Sequence, residues 1–98
     1  MKKNSNILLK LKKICLKDKI PIMRPKTLET LSKLAMNKTI LEIGTGYGYS
    51  SLFLFERAKP KAITTIEKNI NSFKKAKFFL KKIIYCYSQC LSFWLAAK

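Results

Sequence analysis

Thr39-Ile40-Leu41-Glu42-Ile43-Gly44-Thr45-Gly46-Tyr47-Gly48-Tyr49-Ser50-Ser51 is the stretch on which the fold of this chain turns. Its first five residues form a short β-favouring run. Glycine then recurs at alternate positions, and an apolar segment, Leu52-Phe53-Leu54-Phe55 with Ala58, continues as a helix until Pro60 stops it. A strand that passes through a glycine-rich turn into a helix lets the backbone approach a ligand closely, and the first helical turn offers free N–H groups. Ala62-Ile63-Thr64-Thr65-Ile66 reads as a second strand closed by Glu67, 19 residues after Gly48. That offset suits two adjacent strands joined by a helix, with an acid at the second tip able to accept both hydroxyls of a ribose.

Three phosphate or nucleoside motifs compete for this loop. A dinucleotide fingerprint needs G-x-G-x-x-G, but here the third glycine comes one residue early, with Tyr49 after it. A P-loop needs Gly-Lys-Ser/Thr at its end, and none is present. An acid two residues before the first glycine, followed by G-x-G-x-G, fits S-adenosylmethionine better. That cofactor carries an amino-carboxylate and a sulfonium in place of phosphate, so an acid near the loop is not repelled.

Upstream, residues 5–19 place Ile7, Leu8, Leu11, Ile14 and Cys15 at helical spacing, with lysines mostly elsewhere on the wheel. Two prolines, Pro21 and Pro25, make the next segment an extended connector. Pro25 or Thr27 then opens a second helix with Leu28, Leu31, Leu34 and Ala35 on one face, closed at Asn37-Lys38. Downstream, Asn69 begins a lysine-rich helix whose buried stripe is Phe73, Ala76, Phe79 and Leu80. The expected class is α/β: strand, glycine loop, helix, strand, acid, helix, the start of a right-handed parallel sheet.

Leu41 to Ser51 resembles motif I of class I S-adenosylmethionine-dependent methyltransferases. Its Gly-Tyr-Ser ending resembles the small O-methyltransferase family of catechol, caffeoyl-CoA and bacterial tRNA hydroxyuridine enzymes. Ile20-Pro21-Ile22, Pro25 and Thr27 resemble the tRNA-modifying branch, and Ile63 to Glu67 resembles the family's second strand. The resemblance covers roughly residues 5–80. It implies the N-terminal portion of a Rossmann-like fold, divided into helices at 5–37, a βαβα cofactor unit at 39–82 and a tail at 83–98. It assigns Glu42, Gly44, Thr45, Gly46 and Ser50 to the amino-carboxylate end of the cofactor, and Glu67 to the ribose. Ser50 as a plain helix cap, and Glu42 as a loop-ordering group acting on backbone N–H, are the alternatives.

The resemblance further implies a third strand ending near Gly-Asp-Ala, whose aspartate meets adenine. Ile83 to Leu91 is the candidate, with Ser88-Gln89-Cys90 at that point and Gln89 accepting from the adenine amine in place of the acid. A frame-shifted tail is the other reading, since charge vanishes after Lys82 and the turn expected before Ile83 is missing. The family's later strands, its magnesium-binding carboxylates and most of its acceptor pocket have no counterpart. The expectation is therefore the cofactor-binding part of an O-methyltransferase, truncated and weakly active or inactive alone, with tRNA as a partner and a homodimer implied by the family. A catechol-like acceptor and a basic RNA-binding module without catalysis are the alternatives.

Composition sets outer bounds on these readings. The chain has 98 residues, 21 basic against 5 acidic, and a formal net charge of +16. Residues 1–26 carry +8 and residues 58–82 carry +7, while 27–57 balance. Such charge suits a nucleic-acid surface. Yet only Arg24 and Arg57 are arginine, and Lys, Asn, Ile, Phe and Tyr make up 45 of the 98 residues. These residues have A/T-rich codons, so codon bias accounts for the lysines equally well. Without histidine there is no Ser-His-Asp or Cys-His nucleophile system. With Asp18 the one aspartate, a carboxylate metal cluster is hard to assemble. Cys15, Cys86 and Cys90 read as free thiols, and with no signal peptide and no apolar run long enough for a bilayer, the expected location is the cytoplasm.

Overall fold

The chain, described by a computed structural model over residues 2–87 and 91–96, is an α/β unit with its helices stacked against one side of a parallel sheet. The elements run α1 (Lys2–Lys17), α2 (Pro25–Ala35), β1 (Thr39–Ile43), α3 (Tyr49–Ala58), β2 (Ala62–Glu67), α4 (Ile70–Tyr87) and β3 (Leu91–Leu95). The strands pair in the order β1-β2-β3, all parallel. Each pair is joined by a helix, as a parallel connection requires.

The register sorts the side chains. Ile40 aligns with Ile63, and Glu42 with Thr65 and Phe93, on the face that meets the helices. Phe73 of α4 stacks on Phe93 at 4.5 Å between ring centroids, and Ser51 of α3 bonds Glu42, which places both helices on that face. α3 is buried on nearly every side, from Ser51 through Phe55 and at Ala58, because α1 and α2 pack against its far side. A helix apolar all round is one sandwiched between layers.

The core draws on each helix at its expected positions: Leu8, Leu11 and Cys15 from α1, Leu28 and Ala35 from α2, and Ala76, Phe79 and Leu80 from α4. Each such Leu or Phe, fully buried, contributes about 1.5–3 kcal/mol of transfer free energy. Leu34 departs from the expected α2 face. It is 66% exposed, and Ser32 takes the buried position instead, its hydroxyl satisfied by the Leu28 carbonyl at 2.8 Å. Pro25 opens α2 at its first turn, where a missing N–H costs nothing. Asn69 caps α4, its Oδ1 accepting from the N–H groups of Asn71 and Ser72, each at 3.0 Å.

The tail corrects the sequence reading. Ile83 to Tyr87 continue α4, and the third strand is Leu91–Leu95. The physical reason is the missing turn: with no glycine, proline or cap after Lys82, each further residue adds a helical hydrogen bond at little cost. The βαβα unit therefore runs past residue 82, and a strand does follow it, displaced toward the C-terminus.

Candidate functional site

The site forms at the C-terminal ends of β1 and β2, where open α/β sheets bind ligands. Gly44, Gly46 and Gly48 all have positive φ, at 91°, 59° and 93°. Gly48 shows why glycine is needed: besides its φ, a Cβ there would lie 3.2 Å from the Leu80 side chain. Gly44 is different, because a Cβ there would meet nothing within 4 Å. Its backbone faces open space at the mouth of a cleft of about 140 Å³ lined by Ile20, Ile22, Thr45, Gly46, Tyr49 and Ser50. The proline connector between α1 and α2 thus forms one wall of the cleft, and the glycine loop forms the other.

The loop is tied to β2 by a dense set of bonds. Gly44 and Thr45 donate their N–H groups to the Ile66 carbonyl at 2.8 and 3.3 Å. Glu67, 9% exposed, accepts from the Gly46 N–H at Oε1 and from the Asn69 N–H at Oε2, both at 2.8 Å. One carboxylate therefore joins the glycine loop, the end of β2 and the start of α4. Each of its oxygens keeps a further lone pair for a ligand hydroxyl.

Glu42, half-buried, is part of the cleft wall. Ser50 donates to its Oε2, Ser51 to its Oε1 at 2.5 Å, and Thr65 to its Oε1 at 2.6 Å. Thr45 and Thr65 hydroxyls lie 2.5 Å apart. Since Thr65 spends its proton on Glu42, Thr45 donates to Thr65. The result is a hydroxyl relay ending on a carboxylate, which fixes the first turn of α3 against β1 and β2.

The placement of the expected residues is uneven. Glu42, Gly44, Gly46 and Ser50 line the cleft, and Glu67 stands beside it, joined to the loop through the Gly46 N–H. Thr45 belongs to the cleft by its backbone, while its side chain is buried against Thr65. Ser50 is not the helix cap, since Gly48 holds that position without a side-chain bond. Loop ordering through backbone N–H groups is done by Glu67, not Glu42. Gln89 lies outside the described residues.

Sequence reasoning missed one pair. Tyr47 donates its phenol O–H to Asp18 Oδ2 at 2.7 Å, linking the turn after α1 to the glycine loop. That hydrogen bond, then burial, push the Tyr47 phenol above its ordinary pKa. Burial, with Asp18 nearby, pushes the Cys15 thiol up as well. No motif joins residues 29 positions apart, so only the closure of α1 onto the loop discloses them.

The cleft, with the strand tip beside it, fits the cofactor implied by the sequence in three respects: open backbone at Gly44, N–H groups of the first turn of α3, and the Glu67 carboxylate at the strand end with spare lone pairs. It does not fit the metal. Among the described residues no three Asp, Glu or Cys side chains converge, and the Asp18 carboxylate is engaged by Tyr47. Among those residues, too, no helix is long and apolar enough to cross a membrane.

Comparison with solved structures gives the same architecture. A Staphylococcus aureus protein described as a caffeoyl-CoA O-methyltransferase is 30% identical, with a TM-score of 0.77 over 92% of this chain and 44% of that one. TomG of Streptomyces achromogenes, an O-methyltransferase involved in tomaymycin synthesis and determined with S-adenosylmethionine, is 25% identical, with a TM-score of 0.68 over 93% and 43%. A Bacillus cereus O-methyltransferase determined with S-adenosylhomocysteine is 20% identical, with a TM-score of 0.70 over 90% and 42%. No protein-family model and no curated protein matches the sequence. The chain spans less than half the length of these structures, and its fold is a partial Rossmann-like methyltransferase fold.

Proposed function

We propose that this chain is the S-adenosylmethionine-binding part of an O-methyltransferase of the caffeoyl-CoA type, with the wobble hydroxyuridine of tRNA as acceptor. The observation that carries the cofactor reading is the pairing of Gly44, open to the cleft, with Glu67 at the tip of the adjacent strand, bonded to the same loop. Bound there, the cofactor supplies an electrophilic methyl group. The chain's own part is positioning. The loop and the positive end of α3 would hold the amino-carboxylate, since the helix dipole favours a carboxylate there. Glu67 would accept from the ribose hydroxyls through its remaining lone pairs. The hydroxyl relay on Glu42 keeps the loop from shifting when the ligand enters.

Cleft volume limits what this chain does alone. About 140 Å³ is below the roughly 300 Å³ at which pockets begin to enclose a whole small ligand, so the cleft holds one end of the cofactor. The Glu42 carboxylate that lines it is engaged by Ser50, Ser51 and Thr65, and the Tyr47 phenol by Asp18. The chain alone is therefore a cofactor binder with little or no transfer activity.

The tRNA acceptor is supported by charge in one place. A groove of about 610 Å³ between α1 and α4 is lined by Lys10, Lys74, Lys75, Ile14, Phe78 and Phe79. Ammonium groups beside the exposed Phe78 ring suit a phosphate backbone with a base stacked on that ring.

Titration calorimetry with S-adenosylmethionine tests the cofactor reading. Binding is expected at micromolar concentrations, weakened about tenfold or more in Glu67→Gln, which keeps the side chain's shape but loses a charge-assisted acceptor. Absence of heat from a chain that melts cooperatively would overturn it.

A further inference from the structure

A second cavity opens between α1 and α3. It holds about 220 Å³ and is lined by Leu8, Leu9 and Lys12 of α1 and by Tyr49, Phe53 and Arg57 of α3. Its bed is apolar. Leu8 and Phe53 belong to the core, Leu9 is 56% exposed beside them, and the Tyr49 and Phe53 rings lie tilted with centroids 6.3 Å apart. Two cations and no carboxylate stand among the lining residues. An apolar hollow with a few convergent polar groups is the usual form of a small-molecule site.

Both cations differ from the other basic residues. Among the lysines whose side chains are described, Lys12 is half-buried and all the others are exposed. Its side chain lines the cavity, yet among the described residues no carboxylate meets the ammonium, since the ion pair found there joins Arg57 to Glu29. Arg57 is held in place from two sides. Its Cζ lies 5.1 Å from the centroid of the Phe53 ring, and its Nη1 donates to Glu29 Oε1 at 3.1 Å. A guanidinium carries five N–H donors, so the rest of the fork is left for a ligand. A donor set fixed before binding loses less entropy when the ligand arrives.

We propose that this cavity binds a small aromatic carboxylate, its ring on the bed of Leu8, Leu9 and Tyr49 and its carboxylate between the Arg57 fork and the Lys12 ammonium. The charge on the lining is positive only, which selects an anion. The planar fork matches a carboxylate bidentately. The bed holds no side-chain amide and, Tyr49 aside, no hydroxyl, so the polar edges of a nucleobase would go unmet there. This site shares Tyr49 with the cofactor cleft and is otherwise built from different residues, so it is independent of the cofactor reading.

The test titrates the isotope-labelled protein with naphthoate and with its neutral analogue naphthalenemethanol, followed by amide chemical shifts. Naphthoate should bind one site at concentrations below about 1 mM. The shifts should centre on Leu8, Leu9, Lys12, Tyr49, Phe53 and Arg57, and the neutral analogue should bind at least about tenfold more weakly. Lys12→Met keeps the stem and removes the charge, and Arg57→Gln removes the fork. Each should keep the parent melt and weaken naphthoate at least about fivefold, with the neutral analogue unaffected. Should either variant lose the parent melt, the comparison of the two probes on the parent protein decides. Equal affinity for the two probes, naphthoate binding unchanged in either folded variant, shifts centred on the groove between α1 and α4, tighter binding of uridine monophosphate than of naphthoate, or no binding at all would each overturn the proposal. S-adenosylmethionine titrated into the same protein without naphthoate reports separately on the cofactor cleft.

Discussion

Gly44 and Gly48 share a backbone angle and differ in surroundings, and that difference separates an open position from a packed one. Both need φ above 90°, a conformation that costs a residue with a side chain about 1–3 kcal/mol. At Gly48 the added methyl also presses on Leu80, whereas at Gly44 it enters open space. Gly48→Ala should therefore lower stability by about 2–4 kcal/mol in urea unfolding, more than Gly44→Ala at about 1–2 kcal/mol. Gly44→Ala should be the more damaging of the two to S-adenosylmethionine binding relative to its stability loss, which calorimetry on the folded variants checks. The alternating glycines were legible in the sequence because each marks a backbone need. Their division of labour was not, because it depends on Leu80, 32 residues away, and on the emptiness around Gly44.

At the scale of elements, the Tyr47–Asp18 bond couples α1 to the glycine loop. Folding favours the neutral phenol, so the tyrosine pKa is higher folded than unfolded. Its contribution is complete below the ordinary value of 10.0 and is lost as pH rises through the raised one. The Cys15 thiol, raised above 9.0, acts in the same direction. Stability from urea melts should thus fall through the alkaline range. Tyr47→Phe should cost about 1–2 kcal/mol at neutral pH and flatten the alkaline decline relative to the parent chain. The elements themselves were mostly readable, from periodicity in α1 and α4 and from prolines around α2. The exception is the end of α4. The one local signal there, the missing turn after Lys82, favours a continuing helix, while the apolar run Ile83-Ile84-Tyr85 suits helix and strand alike.

For the molecule as a whole, the charge is carried by helix surfaces and, among the described residues, excluded from the sheet face away from the helices. If the groove between α1 and α4 engages tRNA, filter binding across a salt series should show log affinity falling with log salt at a slope of about −2 to −4. Lys10→Ala and Lys74→Ala should each reduce that slope by about one without affecting S-adenosylmethionine binding. A flat salt dependence would leave codon usage as the source of the lysines. By itself the sequence determined the strand–loop–helix unit and the strand-end acid. Each rests on backbone conformation and residue spacing, which are local properties of a chain. Only the tertiary structure decided which carboxylate orders the loop, that Thr45 turns away from the cleft, that Asp18 holds Tyr47, and that among the described residues the helices all lie on one face of the sheet. Those are outcomes of which elements meet. Local periodicity marks an apolar face, and packing alone decides whether anything in the chain covers it.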